Sequence, residues 1–158
     1  MVKYKHRIAD RILERKVLGK GAVLIEGPKW CGKTTTAKQL SKSILDLGDS
    51  SVLMQSSQLI EISPKALLEG KTPRLIDEWQ ALPTIWDCIR SEVDRRGEPS
   101  QFILTGSSVL PEAEETIHSG TGRFAYIKMR TMSLYESGES TGSISLSDLF
   151  EGKSFEVL

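Results

Sequence analysis

Eight consecutive residues, Gly27 to Thr34, limit the folds open to this chain more than any other feature of its sequence. They read G-P-K-W-C-G-K-T and match the pattern G-x-x-x-x-G-K-[ST] without a gap. Glycine permits a tight curl in which successive backbone N–H groups point at one anion. A helix that begins just after the curl adds the positive end of its dipole. The pattern therefore predicts a phosphate-binding loop between a strand and a helix.

The residues on either side of this loop supply the strand and the helix. An apolar run from Ala22 to Glu26 precedes the loop and predicts a buried strand. From Lys33 onward, apolar residues recur every three or four positions and stop at a glycine, which predicts a helix. These residues are Ala37, Leu40, Ile44 and Leu47, followed by Gly48.

The loop residues have separate predicted tasks toward a nucleotide. Lys33 is expected to reach the β- and γ-phosphates, and the hydroxyl of Thr34 is expected to be a ligand of Mg²⁺. Cys31 is interpreted as a variable loop position, and Trp30 packs either on the ligand or on the protein. The predicted phosphate contacts are Gly27, Pro28, Lys29, Trp30, Cys31, Gly32, Lys33, Thr34 and Thr35.

A pair of carboxylates closes another apolar run, Arg74 to Glu78. Beside a phosphate loop, one carboxylate holds Mg²⁺ and a second orients or deprotonates the attacking water. We therefore predict Asp77 as the metal ligand and Glu78 as the general base. Without the loop, the same pair is an ordinary solvated strand end, so this prediction depends on the loop.

Two more polar residues lie near predicted strands. Thr105 ends the apolar run from Gln101, and its hydroxyl is expected between the metal and the γ-phosphate; Ser107 and Ser108 compete for this task. Arg123 precedes a strand predicted from Phe124 to Met129. An arginine there is either a surface residue or a group that neutralises transition-state charge in a neighbouring subunit.

The remaining segments alternate between predicted helices and strands, which favours a mainly parallel sheet covered by helices. The segment from Gln58 to Gly70 is ambiguous, because Pro64 either starts or breaks a helix. The other predictions are helices over Tyr4–Leu18, Pro83–Arg96 and Glu112–Ile117, a strand over Ser51–Met54, and an apolar cluster around Leu146, Leu149 and Phe150.

Composition excludes several classes of protein. The chain has 158 residues with 21 basic and 21 acidic side chains, so no overall attraction to nucleic acid or to a membrane is indicated. Two cysteines are too few for a disulfide scaffold. No apolar run approaches the roughly 20 residues that cross a bilayer. We expect a soluble, cytoplasmic protein, with a nucleotide rather than a nucleic acid or membrane as its partner.

Taken in order, these motifs resemble the AAA+ ATPases of the P-loop NTPase superfamily, and more closely a prokaryotic group of AAA-domain proteins of poorly defined role. The resemblance implies ATP rather than GTP, and the chain lacks the [NT]-K-x-D motif that reads guanine. It also implies the sensor-1 role for Thr105 and an arginine-finger position for Arg123. The segments that carry it are Leu24–Thr36, Leu75–Gln80, Phe102–Ser108, Gly122–Arg123 and Met129–Gly138.

For the fold, the resemblance implies a three-layer α/β/α sandwich around a five-stranded parallel sheet, in which the sensor strand separates the strands of the loop and of Asp77. We predict an ATPase core over residues 1–135, and a linker with the start of a truncated C-terminal region over 136–158. Relatives usually add a helical lid and a further domain, so we expect a fragment or a short member. A homo-oligomer or a missing C-terminal domain is the expected protein partner.

Three functions from different classes are compatible with these residues. The first is an ATPase that binds Mg·ATP and releases ADP and phosphate. The second is a regulatory module that binds ATP or ADP without turnover in isolation. The third, a small P-loop kinase, lacks the arginine-rich lid expected after the fourth strand.

Overall fold

A single five-stranded sheet organises the computed structural model, which describes residues 4–107 and 122–153. Its strands are β1 (Ala22–Gly27), β2 (Ser43–Asp46), β3 (Arg74–Asp77), β4 (Phe102–Ser107) and β5 (Phe124–Lys128). They lie in the order β2-β3-β4-β1-β5, and all neighbours are parallel. The strand of Thr105 therefore lies between the strand before the loop and the strand of Asp77, and the predicted sheet is confirmed.

Five of the described helices lie in the part of the chain that contains the sheet, and they cover both of its faces. They are α1 (Ile8–Gly19), α2 (Lys33–Leu40), α3 (Ser50–Ile62), α4 (Pro64–Leu68) and α5 (Ile85–Arg96), and a 3₁₀ turn spans Trp79–Ala81. Two short helices, α6 (Leu134–Ser137) and α7 (Leu146–Phe150), follow the last strand. Side chains alternate across a strand, so Leu24 packs in a cluster with α3, α4 and α5. Val23 and Ile25 instead face α1 and α2. The predicted α/β/α layering is confirmed.

The parallel order brings the ends of separate strands to common edges. The carboxyl ends of β1, β3 and β4 carry Gly27, Asp77 and Ser107, and lie at the same edge of the sheet. Arg123 comes immediately before β5, whose first residue pairs with Ala22 at the amino end of β1. The predicted site residues are therefore divided: Gly27, Asp77 and Ser107 lie at the carboxyl ends of the strands, and Arg123 lies at the amino ends.

The predicted helix from Lys33 to Leu47 is wrong in its second half. Helix α2 ends at Leu40, and Ser43–Asp46 form β2, paired with Arg74–Asp77 of β3. Ile44 and Leu47 fit a helical period, but Ser43–Asp46 extend because β3 supplies hydrogen bonds that local spacing does not reveal. On this edge strand Leu45 is buried and Ile44 is 44% exposed.

The predicted strand over Ser51–Met54 is also wrong, because these residues lie in α3. The Asp49 side chain caps this helix by accepting from the backbone N–H groups of Ser51 and Val52. Pro64 begins α4, which resolves the ambiguous segment, and helix α1 begins at Ile8 rather than near residue 4. The predicted helix over Glu112–Ile117 lies outside the described residues.

The chain divides into two compact units. One spans Ile8–Thr131 and contains the sheet; the other joins Met1–Arg7 to Met132–Leu158. Within the second unit, Arg7 pairs with Glu136 at 3.1 Å, and Glu136 also completes a capping box with Ser133 at the start of α6. The domain boundary after residue 135 stays a prediction. Among the described residues, no helix combines the length and apolar character needed to span a membrane.

Candidate nucleotide site

The loop between β1 and α2 depends on glycine at both ends. Gly32 has φ of 101°, in the left-handed region that glycine adopts without steric cost. A Cβ on Gly27 would lie 2.3 Å from the carbonyl oxygen of Met129, just beyond β5. The first glycine is therefore required by close packing, and the second by its backbone conformation.

Helix α2 begins at the loop with its N–H groups uncapped by any side chain. Its N-cap is Gly32, which has no side chain to accept from these groups, and its first turn contains no acidic residue. The N-terminus of a helix attracts anions through free N–H groups and the helix dipole. This arrangement suits a phosphate.

The Lys33 ammonium lies within the loop that precedes it. Its Nζ donates to the carbonyl oxygens of Gly27 and Pro28, each at 2.9 Å, and only 5% of the residue is exposed. Among the described residues it has no carboxylate partner. A buried cation bonded only to neutral carbonyls keeps its full charge available to a phosphate.

Asp77 is the point at which three segments meet. Its Oδ1 accepts from the hydroxyl of Thr34 at 2.9 Å and from the hydroxyl of Thr105. The residue is 5% exposed, and within residues 4–107 and 122–153 no cation pairs with its carboxylate. Predicted residues from the loop, from β3 and from β4 are therefore in direct contact.

This contact distinguishes Thr105 from its two competitors. Thr105 is fully buried and bonded to Asp77, whereas Ser107 lies two residues further along β4 and is partly exposed. Ser108 lies outside the described residues. Of the two described candidates, Thr105 is the one that meets the predicted metal ligand.

Glu78 lies beside an open cleft of about 560 Å³. Its backbone is left-handed, with φ of 52° and ψ of 46°, where the chain turns from β3 into the 3₁₀ turn. The cleft volume is within the range of small-molecule sites. The cleft is lined by Lys29, Trp30, Gly32, Lys33, Thr34, Thr35 and Glu78.

Sequence reasoning missed Gln80, whose amide Nε2 donates to the Glu78 carboxylate. The same nitrogen lies 3.5 Å from the Ser107 hydroxyl at the end of β4. Its position two residues after the carboxylate pair was visible, but the contact depends on the left-handed turn at Glu78, which the pattern does not reveal.

Trp30 and Arg123 occupy very different places. Trp30 is fully exposed at the cleft, with φ of 62°.

Arg123 lies at the amino ends of the strands, about 20 Å from the loop by the length of β1, and its guanidinium pairs with Asp94. This hydrogen bond lowers the pKa of the Asp94 carboxyl. Arg123 does not reach the cleft of its own chain.

The oxygen donors at Asp77 fit a magnesium ion. Mg²⁺ is usually held by one or two protein oxygens together with water and substrate phosphates, rather than by a full cage of side chains. Thr34 and Asp77 would supply one hydroxyl and one carboxylate oxygen. In the described part of the chain, no group of three or more His, Cys, Asp or Glu residues forms a separate metal cluster.

Comparison with protein families agrees with this geometry. A family model described as an AAA domain matches residues 19–138, a range that contains the loop, both carboxylates, Thr105 and Arg123. The match covers most of the chain, and it confirms the resemblance inferred from the motifs.

Individual relatives extend well beyond the matched region. The chain is 27% identical over 138 residues to the uncharacterized proteins Rv2008c of Mycobacterium tuberculosis and Mb2031c of Mycobacterium bovis. The match covers 86% of this chain but 31% of each relative, so the chain spans about a third of the length of these curated relatives. A solved structure, that of C. elegans PCH-2, matches with 19% identity and a TM-score of 0.44, covering 73% of this chain and 36% of that one.

Proposed function

The chain belongs to the AAA domain family, a class of P-loop nucleotide-binding domains, and from this premise we propose that it binds Mg·ATP and hydrolyses it to ADP and phosphate. The observation that supports the proposal most strongly is the convergence on Asp77. This buried carboxylate accepts from two hydroxyls and has no cationic partner in the described residues. A divalent cation would supply the missing positive charge.

Each residue then has one task. Lys33 exchanges its carbonyl partners for β- and γ-phosphate oxygens, while the first N–H groups of α2 bind the same anion. Thr34 and Asp77 hold Mg²⁺, which, when bound, neutralises charge on the phosphates. Glu78 orients the attacking water and takes its proton at a carboxylate oxygen. Thr105 keeps Asp77 in place.

A binding module with little turnover is the second candidate, because no arginine lines the cleft among the described residues. Arginine fingers raise the hydrolysis rate by roughly 10³- to 10⁵-fold where they act. Arg123 lies at the opposite edge of the sheet and would reach a cleft only from a second subunit. On this hypothesis the isolated chain binds ATP and releases little phosphate.

The first experiment measures phosphate release by the purified chain with Mg·ATP over a range of protein concentrations. We expect turnover above background, with Lys33→Ala inactive. Turnover per chain that rises with concentration favours an arginine supplied by a neighbour. Tight ATP binding without phosphate release at any concentration would favour the binding module and contradict hydrolysis.

The same assay tests the role of Glu78. Glu78→Gln should bind ATP with unchanged affinity and lose turnover by about 10²- to 10⁴-fold, the usual contribution of a general base. ATP affinity is measured separately by calorimetry. Turnover retained in this variant would refute the assignment of Glu78 as the base.

A further inference from the structure

The side chain of Glu78 must hold its carboxylate in a defined orientation if it is to activate water. General bases act when they lie within hydrogen-bond reach of the proton they remove, and small displacements lower the rate steeply. Glu78 is half-buried in a left-handed backbone conformation, and the chain turns immediately into the 3₁₀ turn Trp79–Ala81. The backbone alone leaves the side-chain torsions of Glu78 undetermined.

Gln80 supplies a contact that fixes them. Its Nε2 donates to the Glu78 carboxylate and lies 3.5 Å from the hydroxyl of Ser107. A carboxylate only accepts hydrogen bonds, so the amide must present its nitrogen to Glu78. Its orientation is therefore determined by chemistry as well as by shape.

The other side of the same amide faces Gly106 of β4. The Oε1 atom of Gln80 is buried and has no hydrogen-bond partner. It lies against Gly106, where an added Cβ would come within 2.7 Å of it. A buried carbonyl without a hydrogen-bond partner costs free energy. The hydrogen bond from Nε2 to the Glu78 carboxylate offsets this cost.

The turn that carries Gln80 is anchored in the core. Trp79 is 3% exposed, and its ring lies 5.0 Å from that of Trp86 in α5. The Ala81 N–H donates to the Glu78 carbonyl at 2.9 Å, which closes the turn. Gln80 is thus attached to a rigid support rather than to a mobile loop.

We propose that Gln80 is a positioning residue, which orients the Glu78 carboxylate for water activation and connects it to the end of β4. This inference rests on the proposed hydrolysis of ATP. Gln80 acts through Glu78, and among the described residues no side-chain hydrogen bond joins it to the loop from Gly27 to Thr34. Its loss should therefore lower kcat and leave ATP affinity unchanged.

The principal test is Gln80→Met, which keeps the length and volume of the side chain and removes the amide. We expect kcat to fall about 10- to 100-fold, because a misplaced base loses about that much, while the Kd for ATP stays at the wild-type value. Gln55→Met, at an exposed position in α3, is the matched control and should keep the wild-type kcat. Phosphate release, calorimetric binding and melting temperature are measured for each protein.

Two further variants separate positioning from packing. Gly106→Ala would place a Cβ 2.7 Å from Gln80 Oε1 and 2.8 Å from Trp79 Nε1, so it should lower kcat in the same direction as Gln80→Met and, unlike Gln80→Met, also lower the melting temperature. In single-turnover measurements, Gln80→Met added to Glu78→Gln should cause no further loss, because Gln80 acts only through Glu78.

Two outcomes have distinct meanings. Wild-type kcat in Gln80→Met, or losses that multiply in the double variant, would overturn the positioning role while leaving hydrolysis intact. Absence of turnover in the wild-type chain would overturn the proposed function, and this inference with it.

Discussion

Two carboxylates in this molecule are equally buried, yet they are compensated in opposite ways. Asp77 at the end of β3 and Glu92 in α5 are each 5% exposed. Asp77 accepts from two neutral hydroxyls, whereas Glu92 accepts from the guanidinium groups of Arg95 and Arg96. Burial alone therefore does not show whether the charge of a carboxylate is already paired; its hydrogen-bond partners do.

The chemistry of the partners explains the difference. Hydrogen bonds from Arg95 and then Arg96 lower the pKa of Glu92 from 4.5 to about 2, although burial opposes them. Arg96 also reaches the carbonyl of Leu68 and the side chain of Gln101, so the network joins α5 to neighbouring segments. The charge of Glu92 is already neutralised. That of Asp77 is available to a cation from solution.

The largest expected effect comes from neutralising Asp77. Asp77→Asn keeps an oxygen that accepts from Thr34 and Thr105 but removes the charge that would attract Mg²⁺. We expect turnover to fall by about 100-fold or more, with the free energy of unfolding without ligand changed by less than about 1 kcal/mol. Phosphate release and thermal unfolding with and without Mg·ATP measure both quantities.

The matched control for this change is Asp46→Asn, the same substitution at the exposed end of neighbouring β2. It should retain the Mg²⁺-dependent rise in melting temperature. A similar Mg²⁺-dependent rise in the melting temperature of Asp77→Asn would show that Asp77 does not hold the metal. The difference drawn between Asp77 and Glu92 would then be wrong.

The intermediate effect comes from Glu92 and acts on stability. Because the folded pKa of Glu92 is below its unfolded value, its ion pairs stabilise the fold above about pH 4.5 and this stabilisation is lost as the pH falls toward 2. Arg95 is 57% exposed, so solvent screening reduces the stabilisation from Glu92 to about 1 kcal/mol. Glu92→Gln should lower the free energy of unfolding by that amount at neutral pH. It should also reduce the loss of stability between pH 4.5 and 2, while ATP turnover stays unchanged.

Urea unfolding between pH 2 and 7 tests this prediction against Glu98→Gln, which alters an exposed carboxylate close to the end of α5. Reduced turnover in Glu92→Gln at unchanged stability would contradict the structural role assigned to Glu92.

The smallest effect is expected at the exposed pair of Arg123 and Asp94. Arg123→Ala should leave the melting temperature of the dilute chain unchanged, because exposed ion pairs add little stability. Its turnover should differ from wild type only at protein concentrations where chains associate. A loss of turnover in dilute, monomeric protein would contradict the separation of Arg123 from its own cleft. Native mass measurement reports the association state.

The grouping of the candidate site residues was predictable because they lie in short contiguous motifs. Gly27 to Thr34 and the pair Asp77 and Glu78 each combine a sequence pattern with an apolar strand. Their meeting required one further fact, the position of β4 between β1 and β3, which the family resemblance supplied. The contact between Thr105 and Asp77 follows from that strand order.

One error arose where tertiary contacts override local preference, and another where a local capping signal was overlooked. Ile44 and Leu47 continue a helical period, yet Ser43–Asp46 extend to pair with β3. Val52 and its apolar neighbours favour a strand, but Asp49 caps a helix there, and that capping signal was present in the sequence. Gln80 could not be placed in advance, because its contact depends on the left-handed backbone of Glu78.

The Lys33 ammonium donates hydrogen bonds to the carbonyl oxygens of Gly27 and Pro28, so the side chain at the end of the loop is bonded back to its beginning. The ammonium lies against the negative ends of two peptide dipoles and so offsets their repulsion of an anion at the candidate site. Substitution of Lys33 therefore deletes a positive charge and also leaves the carbonyl groups of Gly27 and Pro28 without these two hydrogen bonds. If Lys33 exchanges these carbonyls for phosphate oxygens, as proposed, the free energy of phosphate binding includes the loss of the two bonds that close the loop.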